Sequence, residues 1–336
     1  MSVPGLKEKV AFLSRPDSYP NSVKCVEAKQ THMSCVFLTD THAWKLKKPV
    51  QTDVLDFSTP EARRRNCDRE VELNRRLAED VYLGTVPLTI DDNEKLRLDG
   101  RGEEIDWLVW MRRLPDDRML DRMIALHTCT EDDIFKLILV LTAFYKNAAR
   151  VPATGTEYRI RLAGDLHRAR KELVATDYGL RSELVESVID FQLQFLEDNA
   201  RLFDSRLLSR NVVEAHGDLR PEHVCLELRR PVIIDCLEFN QALRTLDVAS
   251  ELAFFALECE RLGAPEIGDL VLHKCTEETG DAPTPQLLAF YKAYHACIRA
   301  QIAIWHLKDA AVGDRANWIA KANQYLELIP RVNRAA

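Results

Sequence analysis

One short stretch of β-like sequence, Asn211 to Asp235, interrupts a chain that otherwise reads as helical from residue 115 onward. It runs NVVEA–HGDLRPEHV–CLEL–RRPVIID, two short apolar strands bracketing a hairpin, with an aspartate, Asp218 or Asp235, closing each arm. An apolar strand that ends in Asp sets a carboxylate at the rim of a rigid element. The second half of the chain must therefore fold as helices around one embedded hairpin.

The flanking sequence supports this. Residues 131–148 carry Ile134, Leu137, Leu141 and Phe144 at helical spacing, and residues 181–203 carry Leu184, Val188, Phe191 and Phe195. Asp247 is positioned to cap a helix with Val248, Leu252 and Phe255 that Gly263 ends. Thr284-Pro285 opens another, with Leu288, Tyr291, Tyr294, Ile298, Ile302 and Trp305. Before Pro115-Asp116-Asp117 the pattern is mixed. Strands are expected at residues 23–29, 34–38, 94–98 and 105–111, and from Ala43, where Trp44 and Leu46 share a face. Ser58 and Glu61 form an S-x-x-E capping box with Pro60 in the first turn, opening a helix to about Leu77. The expected class is α+β, with a small mixed α/β domain at 1–114 and a larger mainly helical domain at 115–336.

Composition narrows the function. The 336 residues carry 46 Lys plus Arg against 53 Asp plus Glu, a net charge of −7. That argues against a nucleic-acid or anionic-lipid partner. The nine cysteines are scattered, with no C-x-x-C pair to signal zinc or a disulfide framework. The first twenty residues have no apolar h-region, and no apolar run approaches the ~18 residues of a membrane span. These features point to a cytoplasmic protein with no membrane partner; oligomeric state is not readable.

Two aspartates on neighbouring rigid arms suit phosphoryl transfer, one orienting a hydroxyl and the other holding Mg²⁺ on a nucleotide. HGDLRPEH followed by IID resembles the catalytic loop and metal-binding strand of the protein-kinase-like fold. Gly217 in the second position resembles the aminoglycoside phosphotransferase and choline kinase branch, where a protein kinase would usually have Arg. Across most of the chain the resemblance is to the uncharacterised bacterial aminoglycoside phosphotransferase-like branch, through segments similar to THMSCVFL, KLKKPV, LDFST, NRRLA and EFN. Some relatives carry a second, P-loop kinase domain; no G-x-x-x-x-G-K-[ST] occurs here.

The resemblance implies a two-lobed protein-kinase-like fold with Asp218 and Asp235 at one cleft. By position, Asp218 matches the catalytic Asp, Asp235 the metal-binding Asp, and His216 a structural residue. Arg220, in D-L-R-P-E-H, matches a Lys that neutralises transferred phosphate in Ser/Thr kinases, with a pairing to Glu222 or Glu238 as the alternative. Lys45, in A-x-K alternation after Ala43, matches the strand Lys on the nucleotide phosphates, with Lys47 on the same face as fallback. Glu70 matches its helix partner. Met111 and Arg113 fall where backbone groups would meet adenine. Asp247 matches a buried helix-capping Asp, though an ordinary N-cap is the preferred account of it.

Two departures stand out. No G-x-G-x-x-G joins the first strands; the turn reads KQTHMS, leaving Thr31 and Ser34 hydroxyls to help backbone N–H groups meet phosphate. Five residues after Asp218, where the fold has a metal-binding Asn, stands His223. Imidazole suits Mg²⁺ poorly. His223 therefore shifts preference to Mn²⁺, or Asp235 holds the metal without it, or catalysis is reduced, with Glu238 a conceivable substitute carboxylate. The expected function is ATP-dependent phosphotransfer to a hydroxyl of a small molecule, with ATP and Mg²⁺ (alternatively Mn²⁺) as cofactors. The alternatives are a nucleotide-binding pseudokinase and a protein kinase or nucleotidyl transferase on the same fold.

Overall fold

The computed structural model of the protein describes residues 4–20, 22–52, 55–175, 178–308 and 315–329; the outermost residues of the two expected domains, 1–3 and 330–336, lie outside them. The chain forms two compact units. One comprises the residues up to Met119 together with His223–Leu243, the other Leu120–Glu222 and the chain from Arg244 onward. The hairpin of residues 223–243 thus clusters with the sheet unit, while the sequence reading groups it with the helices.

The first unit opens with α1 (Leu6–Leu13). Strands β1 (Glu27–Gln30), β2 (Ser34–Leu38) and β3 (His42–Lys47) follow, then a two-residue ladder of β4 (Gln51–Thr52) and β5 (Leu55–Asp56), then α2 (Pro60–Asn74). Strands β6 (Tyr82–Ile90), β7 (Leu96–Leu98) and β8 (Glu103–Arg112) complete an antiparallel sheet ordered β1-β2-β3-β8-β6-β7. Alternation along the strands divides the core. Trp44 and Leu46 join Leu13, Phe37 and Leu108 on one face, while Ala43 and Val109 join Cys67 and Val71 of α2 on the other. Asp106 of β8 ties both helices to the sheet. It accepts from Lys9 (2.8 Å) and from Arg63 at Nε (2.7 Å) and Nη2 (3.0 Å), all three side chains being buried.

Local expectations shift for identifiable reasons. The cap of α2 is Thr59, which accepts from Ala62 N–H at 3.1 Å, because Ser58 spends its N–H and hydroxyl on Asp56. The first strand starts at Glu27, because Lys24 N–H is held by Asp40 instead of by a ladder. Strand β6 was hidden by Gly84 and Pro87, which punctuate sequence patterns; it tolerates them with bulges at Tyr82/Gly84 and Leu88/Thr89.

The second unit holds α3 (Leu120–Ala125), α4 (Glu131–Asn147), α5 (Gly155–Leu173), α6 (Ser182–Asp198) and α7 (Ala200–Leu208), then β9 (Val212–Glu214). The chain passes through the hairpin of β10 (Val224–Cys225) and β11 (Val232–Ile233) in the first unit and returns by a single turn, α8 (Gln241–Arg244). Strand β12 (Thr245–Asp247) pairs antiparallel with β9. Helices α9 (Val248–Arg261), α10 (Pro265–Thr279), α11 (Pro285–Trp305) and α12 (Arg315–Glu327) close the unit. Asp247 does cap α9, accepting from Ala249 N–H at 2.9 Å, but it is also fully buried and bidentate to Arg206, with Tyr291 Oη donating at 2.9 Å. Among the described residues no helix is long and apolar enough to cross a membrane.

Candidate functional site

In the first unit, strand parity brings Lys45 and Lys47 to the α2 face, where Glu70 of that helix meets both. Lys45 Nζ donates to Glu70 Oε1 at 2.9 Å and to Asp235 Oδ1 at 2.6 Å. Lys47 Nζ donates to Glu70 Oε2 at 2.6 Å and to Glu238. Exposure separates the two lysines: the Lys47 side chain is 1% exposed and Lys45 15%, while Asp235 is 44% exposed. Lys47 is thus enclosed in the core, and Lys45 joins the core carboxylate to one that meets solvent.

Three carboxylates face two ammonium groups in this cluster. The protein atoms around Asp235 strip part of its hydration and work against its charge, but Lys45, then His223 and Lys47, outweigh this and hold its carboxyl well below the usual carboxylate range. Burial likewise opposes the Lys45 ammonium, yet Asp235, Glu70 and Glu238 keep it charged. Glu238 goes the other way: burial, with the Glu70 charge adding, pushes its carboxyl up despite Lys47.

Asp235 is held in an unusual backbone state, φ 62°, in the left-handed region that non-glycine residues seldom adopt. Its N–H donates to Tyr82 Oη at 3.1 Å, and the next N–H, of Cys236, donates to Asn74 Oδ1 at 2.9 Å. Such strain persists where surroundings over-determine it and clusters at functional sites. His223, 7% exposed, sets Nε2 at 3.5 Å from Asp235 Oδ2, and its carbonyl accepts from Ile234 N–H.

In the second unit, loop residues after β9 are held by a buried carboxylate. Glu251 of α9 accepts from the N–H groups of His216 (3.0 Å) and Gly217 (2.6 Å) and from Tyr145 Oη (2.8 Å). Gly217 takes φ 89°, which permits this close approach of consecutive N–H groups. His216 is 1% exposed, and its Nδ1 accepts from Asp218 N–H at 3.3 Å, in keeping with a structural role. The Asp218 carboxylate meets Arg220 Nη2 at 2.9 Å, and Arg299 Nη1 lies 3.8 Å away.

The remaining predicted residues are placed as follows. Thr31 Oγ1 accepts from Ser34 N–H at 3.0 Å and Thr31 N–H donates to Ser34 O, so this pair closes the β1–β2 turn, with Ser34 4% exposed. Met111 is a buried partner of Ala43 across β3 and β8. Arg113 anchors the β2–β3 turn, its N–H to Thr41 O and its guanidinium to Thr39 O. Sequence reasoning missed Tyr82 and Asn74, which hold the Asp235 backbone, and Glu251 and Arg299; it read Glu258 as part of an acidic run on a solvated face or an acidic cleft, whereas Glu258 is buried. The signal for the glutamates was available: Glu251 and Glu258 lie seven residues apart, on one face of an otherwise apolar helix.

A divalent cation fits the first cluster only in part. Asp235 offers a part-exposed carboxylate, and His223 an imidazole 3.5 Å from it. Among the described residues no group of three His, Cys, Asp or Glu side chains could hold a metal. Mg²⁺ is commonly held by one or two carboxylates with phosphate oxygens and water completing its shell, and Asp235 supplies one such carboxylate.

No family model matches the sequence. Uncharacterized proteins of Mycobacterium tuberculosis and Mycobacterium bovis are 32% identical over 314 residues, 90% of this chain and 60% of theirs. The chain thus spans 60% of the length of these curated relatives. Among solved structures, the GDP and kanamycin complex of APH(2")-IIia matches with a TM-score of 0.57 at 15% identity, covering 95% of this chain and 97% of that one. The GDP complex of aminoglycoside 2'-phosphotransferase-IIIa matches at 0.57 and 13%, covering 92% and 93%. A choline/ethanolamine kinase family protein from Mesorhizobium loti matches at 0.51 and 12%, covering 96% and 98%. At these identities the likeness carries the fold, and the fold is the α+β, protein-kinase-like one that the sequence implies.

Proposed function

We propose that this chain, which carries the aminoglycoside phosphotransferase-like form of the protein-kinase-like fold, transfers the γ-phosphoryl group of ATP to a hydroxyl of a small molecule. The observation that carries the proposal is the Glu70–Lys45–Asp235 bridge, ended by an exposed aspartate in strained backbone. A lysine fixed by a buried glutamate is a positioned cation for phosphate oxygens, and the exposed carboxylate beside it suits a nucleotide-bound metal. Asp235, with His223 adjacent, would hold Mg²⁺ or Mn²⁺, which would neutralise charge on the phosphates.

In this reading Lys45 releases Asp235 to bind phosphate, while Glu70 keeps its ammonium oriented. Asp218 accepts the proton of the acceptor hydroxyl as its oxygen bonds to the γ-phosphorus. The bond from that phosphorus to the β,γ-bridging oxygen breaks, and ADP leaves. Glu251 fixes the loop carrying Asp218 through two backbone N–H groups, so the base is positioned before substrate arrives. Arg220, in contact with Asp218, offers a guanidinium to the transferred phosphoryl group.

A second reading, a nucleotide-binding protein without transfer, draws on the Arg220–Asp218 ion pair, which occupies the base, and on His223 in the Asn position. A binding panel of ATP and GTP with Mg²⁺ and Mn²⁺, on wild type and Asp235→Asn, tests the shared premise. Metal-dependent ATP binding lost in Asp235→Asn supports it; metal-independent binding, or none, contradicts it. Binding without turnover over a library of hydroxyl metabolites selects the second reading.

A further inference from the structure

Around Asp218 the second unit gathers more positive charge than its carboxylates neutralise. Arg220 and Arg299 both face Asp218. Arg299 Nε also lies 3.3 Å from Glu258 Oε1, and Arg261 reaches Glu258 Oε2 and Glu222 Oε1, each at 2.6 Å. The ring of Tyr325 lies under both guanidiniums, 5.8 Å from each, and its hydroxyl donates to Glu258 Oε1 at 2.8 Å. Asp218, Glu222 and Glu258 are therefore all engaged by arginines.

A fourth cation joins them. Lys321 stands four residues before Tyr325 on the same face of α12. Its ammonium lies 5.5 Å from the Trp318 ring centroid and has no hydrogen bond or ion pair with any described residue. Burial, then Arg299 and Arg261, with Arg220 adding and Glu258 opposing, push its pKa down from the ordinary lysine value. Among the described residues the four cations Arg220, Arg261, Arg299 and Lys321 thus face the three carboxylates of Asp218, Glu222 and Glu258. Asp218 and Arg220 keep 20% and 18% of their side chains exposed, so a ligand can reach this edge of the cluster.

We propose that the phosphoryl acceptor carries, beside its reacting hydroxyl, an anionic group, carboxylate or phosphate, that docks on Lys321 and Arg299. The proposal rests on the phosphotransferase reading above and names its substrate class. An added anion would meet the Lys321 ammonium, which has no ion pair among the described residues, and offset the surplus charge counted there, through charge-assisted hydrogen bonds in a partly desolvated site. An amino sugar would bring further positive charge to a site that already has an excess of it.

Four matched probes test this by calorimetry in the presence of a non-hydrolysable ATP analogue: D-glycerate, glycerol 3-phosphate, glycerol and glucosamine. The two anions are expected to bind, glycerol and glucosamine to bind at least tenfold more weakly, about the worth of one charged hydrogen bond. Lys321→Gln should weaken anion binding roughly 10- to 100-fold while Lys321→Arg restores it, neither changing affinity for the ATP analogue. The better of the two anions identifies the group as carboxylate or phosphate. Binding of neither anion, equal binding of glucosamine, or unchanged anion affinity in Lys321→Gln overturns the proposal. Failure of the phosphotransferase reading would look different: anions bind and respond to Lys321, but no ATP is bound or consumed.

Discussion

Replacing Lys47 by Met should unfold the first unit more readily than replacing Lys45, although both lysines contact Glu70. Lys47 is 1% exposed and is paired with Glu70 and Glu238, which are 0% and 8% exposed. Its removal takes from Glu238 the cation that most opposes its burial, and breaking a buried pair in this way costs about 3–5 kcal/mol. Lys45→Met leaves Glu70 still paired with Lys47, and the half-exposed Asp235 can recover hydration, so about 1–2 kcal/mol is expected. Urea unfolding followed by the fluorescence of Trp44, Trp107 and Trp110, all in the sheet, reads the first unit once Trp305 and Trp318 of the second unit are replaced by Phe. Replacing both partners of the deeper pair, Lys47→Met with Glu238→Leu, should recover most of the loss, because an apolar pair needs no desolvation of charge. Nucleotide binding should follow the opposite order, falling in Lys45→Met and persisting in folded Lys47→Met. A Lys47→Met protein within about 1 kcal/mol of wild type, or a Lys45→Met protein equally destabilised, would refute the assignment of Lys47 to structure and Lys45 to phosphate.

Three further outcomes follow from the same physics. His295 is buried on Phe254 with a ring nitrogen 2.9 Å from Ser250 Oγ, and burial, with Arg299 adding, pushes its pKa down to about 3. The unfolded chain therefore takes up this proton first, and stability should fall by about 2 kcal/mol between pH 7 and pH 5 from this residue alone, a slope that His295→Gln removes; equal pH slopes in the two proteins would reject this. Glu251→Gln replaces a carboxylate serving three donors, and should cost up to about 3 kcal/mol in urea unfolding and lower phosphoryl transfer, with unchanged stability contradicting its role. If His223 ligates the metal, His223→Asn should improve ATP binding with Mg²⁺ relative to Mn²⁺, and a ratio that does not move would remove His223 from the metal site.

How far the site was legible depended on whether its determinants were local. Strand parity placed Lys45 and Lys47 on one face, and the helix after Pro60 carried Glu70 to meet them. Parity alone could not separate the lysines, because the difference lies in how deeply the tertiary structure encloses each. The turn of residues 31–34 read as a phosphate contact, yet its hydroxyl and amide groups are engaged in closing the hairpin itself. Tyr82 and Asn74 fix the Asp235 backbone across more than 150 residues of chain, which no local pattern encodes. The surplus charge near Asp218 was invisible for the same reason: Arg220, Arg261, Arg299 and Lys321 come from one loop and three helices.

Transfer of label from γ-labelled ATP to a hydroxyl acceptor, compared between wild type and Asp218→Asn, tests the central claim most directly. Asn keeps the shape of the side chain and removes the base, so ATP binding should persist while transfer falls by about 10²- to 10⁴-fold. An Asp218→Asn protein that transfers label at the wild-type rate would contradict the account.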